Sequence, residues 1–153
     1  MQLLYLCLYL YLPFSACTYS FTLAIHMRKK FQASIAGIGI DIIEVARIRK
    51  IFGKHPASLK RFFTPEETRY CLKSRNKYER IAARFAAKEA VIKALDIKNL
   101  RLKDIPVSKA ETGRPGVVLA GAGFKNTRIM LSLTHTAAYA CAVAVALRMR
   151  DEG

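Results

Sequence analysis

The sequence predicts an α+β fold in which a mainly antiparallel sheet packs against one long helix. Two observations carry this. The elements run in blocks, a strand, then helices, then strands, rather than in βα alternation. One stretch, from about Tyr78 to Leu95, is rich in Ala, with Ile81, Phe85 and Ile92 supplying an apolar side, and is long enough to serve as the central helix.

The elements follow in order. From Ile35 the chain alternates through Ile38 and Ile40, a short buried-strand signal, and Gly37 and Gly39 permit close backbone packing. This GxG is not a dinucleotide fingerprint, because position 42, where the third glycine would fall, is Ile. The run Ile43–Ile48 continues into a helix expected to stop near Gly53. Thr64-Pro65-Glu66-Glu67 is a helix start, with Thr as N-cap, Pro at the first helical position and Glu three residues after the cap. A basic loop, Lys73–Lys77, then leads into the long helix. Beyond it, Ile105–Ala110 and Gly116–Ala120 flank the turn Thr112-Gly113-Arg114-Pro115 as hairpin strands. A helical turn is expected at Ala122–Thr127, and Arg128–Thr134 and Tyr139–Leu147 read as two further strands.

A chain of 153 residues suits one domain. Residues 1–27 carry no charged side chain and have about the length of a membrane span, but the first cation, Arg28, lies on the wrong side for a secretory signal. A membrane anchor is one reading of this stretch. The preferred one is that the working chain starts at Met27 and residues 1–26 have no role in the fold; by domain, residues 1–33 are an N-terminal apolar extension and residues 34–150 form the folded domain. Cys7, Cys17, Cys71 and Cys141 form no CxxC pair, and Cys71 and Cys141 read as reduced, partly buried thiols of a cytosolic protein.

The net charge of +15 calls for an anionic partner but does not choose among nucleic acid, membrane, acidic protein and polyphosphate. With only 11 acidic residues against 26 basic ones, the placement of two carboxylates is informative. Asp41 ends the apolar alternation in GIGIDIIEVARI, and Glu89 sits in RFAAKEAVIKAL. Two isolated acids at the edge of a core, among Arg and Lys, suggest a hard divalent cation holding a phosphate. The residues alone allow another account, in which Asp41 caps the following helix and Glu89 makes an i,i+4 pair with Lys93.

These two motifs, in this order, together with LSLTHT at 131–136, resemble bacterial holo-acyl-carrier-protein synthase, the short-chain branch of the 4′-phosphopantetheinyl transferases. The resemblance runs from about Ile35 to about Leu147. It implies the 4′-phosphopantetheinyl transferase fold and a magnesium-dependent transfer of the phosphopantetheine arm of coenzyme A to a serine of acyl carrier protein. The released product would be adenosine 3′,5′-bisphosphate. Carried over residue by residue, Asp41 and Glu89 become the metal ligands, and Glu89 and Lys93 the catalytic pair. Arg75, Arg84, Lys93 and His135 become contacts for coenzyme A, and Arg47 the docking position for the acidic carrier. The proton acceptor stays open between Glu89 and a water on the metal.

The resemblance further implies a cytoplasmic homotrimer, with active sites between subunits, that supports fatty-acid synthesis. One position departs from the pattern. After the KAL run the family carries glycine, whereas this chain has Asp96, a carboxylate that would repel a pyrophosphate. The rival from another class, a small basic nucleic-acid-binding protein, accounts for the charge. It accounts neither for Asp41 and Glu89 nor for basic residues that are not interleaved with aromatics.

Overall fold

The computed structural model describes residues 32–110 and 112–150, of which Ala33–Arg150 make one compact unit. The expectations for residues 1–31, whether anchor, signal or extension, lie outside the described residues. The order is β1 (Gln32–Glu44), α1 (Val45–Lys54), α2 (Pro65–Leu72), α3 (Lys77–Leu95), β2 (Val107–Lys109), β3 (Pro115–Val117), β4 (Thr127–His135) and β5 (Tyr139–Arg150). Short 3-10 turns occupy Pro56–Arg61, Leu102–Asp104 and Ala122–Phe124. The main sheet has the order β1-β5-β4, with β4 and β5 antiparallel from Thr127↔Arg148 to His135↔Ala140. A small antiparallel hairpin pairs β2 with β3. This is the α+β arrangement the sequence predicts.

The helices begin and end for local reasons. At α2 the capping box is complete: Glu67 N–H donates to Thr64 Oγ1 (3.3 Å), and Thr64 N–H donates to Glu67 Oε2 (2.8 Å). Helix α1 has no side-chain cap at Glu44; instead the Val45 N–H is taken up by the Ala138 carbonyl in the β4–β5 turn (2.8 Å). It runs one residue past Gly53, which stays within the last turn, its missing side chain making room for the Tyr78 hydroxyl. Helix α3 ends at Asp96 in the left-handed region (φ 52°), the conformation a C-terminal glycine would adopt.

Several expectations are corrected. The first strand extends through Ile43 and Glu44, which the sequence placed in the helix. The strands around the hairpin turn are shorter than expected, Thr127 belongs to β4, and β5 runs on to Arg150. The largest correction concerns β1. Ile35, Ile38 and Ile40, expected in a buried strand, are 60–66% exposed in the single chain, as is Ile42. The covered face is the one opposite Ile38, Ile40 and Ile42, because a Cβ on Gly37 would overlap the Ala94 carbonyl oxygen and one on Gly39 the Ala90 carbonyl oxygen. The strand lies so close to α3 that only glycine fits.

Two core clusters result. One gathers Val45, Ile48, Phe52, Leu59, Phe63, Cys71 and Ile81 where α1, α2 and the start of α3 meet. Phe52 makes edge-on contacts with Phe62 (5.8 Å) and Phe63 (6.1 Å). Burial pushes the Cys71 thiol up to about 11, as expected of an inert reduced cysteine. The other cluster sets Ala86, Ala87, Ala90, Val91 and Ala94 of α3 against Ala142, Ala144 and Ala146 of β5.

Two substitutions test this packing from opposite sides. Gly39→Ala should destabilise by about 3 kcal/mol, since the helix backbone it meets cannot step aside. Asp96→Gly should stabilise by about 1 kcal/mol, by relieving the left-handed backbone and removing a carboxylate from the negative end of the helix dipole. Thermal denaturation reads both, and equal melting temperatures for Gly39→Ala and the parent chain would refute the close approach.

Candidate active site

The approach of β1 to α3 brings Asp41 to the helix. On α3, Phe85, Glu89 and Lys93 are spaced by four and share one face. Lys93 Nζ donates to Asp41 Oδ1 (2.8 Å) and to the Ile40 carbonyl (2.9 Å). An ammonium has three donors, so one remains, and the Lys93 side chain is 52% exposed. Asp41 and Glu89 line one pocket of about 350 Å³ with Arg47 on α1, against an apolar wall that includes Ile48, Phe52, Phe62 and Phe85. Burial, first, and the Asp41 charge, second, hold the Glu89 carboxyl above the usual carboxylate range, while Lys93 pulls it down. Between the ordinary glutamate value and the raised one, Glu89 holds its proton more in the folded chain than in the unfolded chain. This group's contribution to stability declines as pH rises from the ordinary glutamate value through the raised one.

The alternative account of these acids fails. Asp41 caps no helix, since the N-cap of α1 is Glu44, and the lysine's partner is Asp41 rather than Glu89. What remains is two carboxylates facing one pocket and a lysine with a donor to spare. No group of three or more His, Cys, Asp or Glu able to hold a metal occurs among the described residues. The pair suits a hard cation that takes one or two carboxylates and completes its shell with water and substrate oxygens.

The other sequence-predicted residues are dispersed. Arg47 belongs to the pocket, whereas the other cations of α1, Arg49, Lys50 and Lys54, line a separate groove with Gly53 and Ala137. Arg84 is buried, stacks on Tyr70 at 4.1 Å with its Nε unpartnered, and lies in a different pocket from Asp41 and Glu89. Arg75 is exposed in the turn before α3. His135 ends β4, with Nδ1 3.2 Å from Glu79 Oε2 at the start of α3. Within this single chain, Arg75, Arg84 and His135 do not line the Asp41–Glu89 pocket.

Sequence reasoning missed the residues beneath the site. Lys88, next to Glu89, is fully buried and gives its ammonium to Glu67 Oε2 (2.8 Å) and the Leu102 carbonyl (2.9 Å). Burial pushes its pKa down, and the hydrogen bond and charge of Glu67 oppose that. Glu67 Oε1 also accepts from Val107 N–H at 2.9 Å. The only available signal was the Glu of the capping box, which read as a surface cap.

Comparison with known proteins identifies the family. The profile of the 4′-phosphopantetheinyl transferase superfamily matches residues 37–144. The chain is 44% identical over 115 residues to a holo-[acyl-carrier-protein] synthase of Moorella thermoacetica, covering 70% of this chain and 90% of that protein. To the enzyme of that name from Chlamydia caviae it is 45% identical over 119 residues, covering 73% and 97%. Among solved structures it resembles the Bacillus anthracis synthase in complex with coenzyme A (3′,5′-ADP), with a TM-score of 0.65, 34% identity and coverage of 74% and 97%. The Helicobacter pylori synthase in complex with coenzyme A gives a TM-score of 0.65, 35% identity and coverage of 71% and 98%.

The electrostatics of the pocket predict opposite responses at Glu89. Asp41→Asn removes a like charge and should lower the Glu89 pKa, whereas Lys93→Met removes an attractive one and should raise it. Carboxyl-carbon NMR titration measures this directly. Shifts of the same sign in both variants would mean that Glu89 does not sense its two neighbours.

Proposed function

The chain belongs to the 4′-phosphopantetheinyl transferase superfamily, and from that premise we propose how it works as a holo-[acyl-carrier-protein] synthase. It transfers the 4′-phosphopantetheine of coenzyme A to a serine of acyl carrier protein and releases adenosine 3′,5′-bisphosphate. The observation that carries the mechanism is the Asp41–Glu89 pair facing one pocket, with Lys93 beside it. Asp41 and Glu89 would hold magnesium, which supplies positive charge against the pyrophosphate. The third donor of Lys93 holds a phosphate oxygen and lessens the charge that builds on the leaving bisphosphate. Glu89 is the side chain that takes the serine proton as the serine oxygen bonds to phosphorus and the bond from phosphorus to the departing bisphosphate breaks. Arg75, Arg84 and His135 serve the remoter parts of coenzyme A, and Arg47 at the pocket steers the acidic carrier.

The activity resides in residues 34–150 and serves fatty-acid synthesis in the cytoplasm. No helix of the described residues is long and apolar enough to cross a membrane. The exposed row Ile38, Ile40 and Ile42, with Met130 and Val143, supports assembly with further copies of the chain, and a trimer is the form proposed. Ile42 also lines the site pocket, so such an interface would border the active site. Analytical ultracentrifugation returning a monomer at working concentration would exclude it.

The proposal is tested by the mass of apo carrier protein incubated with coenzyme A and magnesium. Asp41→Ala and Glu89→Gln should each abolish transfer while circular dichroism stays that of the parent, and full activity in either would refute the assignment. In the same assay Arg47→Glu should raise KM for the carrier much more than for coenzyme A. It should also flatten the salt dependence, because exposed charge steering is screened over about 10 Å at 0.1 M salt.

A further inference from the structure

Part of the contact between helix α3 and the sheet is made through methyl groups, beside Val91 of the helix and Ile129, Leu131 and Leu133 of β4. Ala86, Ala87, Ala90 and Ala94 share one buried cluster with Ala142, Ala144 and Ala146 of β5, and Gly37 and Gly39 face the helix from β1. Along this stripe of small residues there are few ridges to lodge in grooves. Placement of Glu89 is nevertheless demanding. A rotation of about 20° carries a carboxylate about 6 Å from the helix axis through about 2 Å. Magnesium–oxygen distances are held near 2.0–2.1 Å, with a tolerance of about 0.2 Å.

A polar tie adds to the apolar packing of the helix. Lys88, one residue before Glu89, is fully buried and tied to α2 through Glu67 and to the 3-10 turn through Leu102 O. Glu67 in turn holds the Thr64 and Val107 amides, so the pair locks α3 to α2 and to the start of β2 at once. A buried ion pair is seldom more stabilising than a well-packed apolar side chain, and its best attested use is to specify register.

We propose that the Glu67–Lys88 pair is a positioning device that holds α3 at the rotation where Glu89 stands across the pocket from Asp41. The inference rests on the metal role proposed for those two carboxylates. Neither Glu67 nor Lys88 lines that pocket, so both act through the helix.

The test uses the full chain and two readouts: the rise in melting temperature on titrating magnesium chloride with coenzyme A present, and steady-state transfer. The double variant Lys88→Met/Glu67→Gln removes both charges and keeps the shape. It should fold, need at least tenfold more magnesium for half of the thermal shift, and lose kcat, with KM for carrier protein within twofold of the parent. Val91→Ala, an apolar truncation on the same helix, should lower the melting temperature and leave the magnesium midpoint in place. An unmoved midpoint in the double variant, or an equal shift in Val91→Ala, would overturn the inference. If the double variant does not fold, Glu67→Gln alone carries the test, with a midpoint shift of about threefold expected and none overturning it. A parent chain that neither responds to magnesium nor transfers overturns the proposed function and this inference together. A responsive parent with unmoved variants overturns the inference alone.

Discussion

A strand without side chains on one face can come closer to a helix than any other element. In this chain the face of β1 that carries Gly37 and Gly39 lies on the carbonyls of Ala94 and Ala90, and the rest of the site depends on that approach. It brings Asp41, two residues further along the same face, to Lys93 Nζ at 2.8 Å, and it sets Glu89 one helical turn away on the same side of α3. It also decides what the opposite face must be. With glycine facing the helix, Ile38, Ile40 and Ile42 point outward, and the apolar surface they form is left for something other than this chain's own helix to cover.

Close approach has a second consequence. A helix that nests on small residues gains contact area but little interlocking, so its register passes to polar groups placed around it. Two lysines of α3 perform this on different sides. Lys93 bridges to the main chain and carboxylate of β1, half in solvent, while Lys88 reaches inward to Glu67 with no exposure at all. The exposed lysine keeps a donor free, and the buried one has its amine engaged by Glu67 and the Leu102 carbonyl. Sequence neighbours five residues apart thus divide between chemistry and support because the helix turns one of them away from water.

Much of this was legible in the sequence, for identifiable reasons. The central helix announced itself by Ala content and length, α2 by its capping box, and the Phe85, Glu89 and Lys93 face by spacing. The contact of Lys93 with Asp41 spans 52 residues and could be reached only through the resemblance, since no local rule joins a strand end to a helix turn so far along the chain. The direction of the isoleucine row was misread because alternation defines two faces without saying which is covered; the glycines held that answer. Burial of Lys88 was invisible, as a lysine on an Ala-rich helix reads by default as solvated. Arg84 was named through the resemblance, but its burial against Tyr70 was invisible for the same reason, being set by tertiary packing.

The charge of the chain makes the site's composition a constraint in itself. A strongly basic protein that needed only affinity for an anion would surround it with Lys and Arg. Here the pocket instead presents two carboxylates that raise one another's cost, one of them pushed up by burial. Their nearest compensation, Lys93, satisfies Asp41 and leaves Glu89 in an environment unfavourable to its charge. Two acids kept together against their mutual repulsion, beside a cation already half committed, make chemical sense when a further positive charge enters with the substrate. On the proposed reading that charge is magnesium, and the strain between Asp41 and Glu89 in its absence is what its binding relieves.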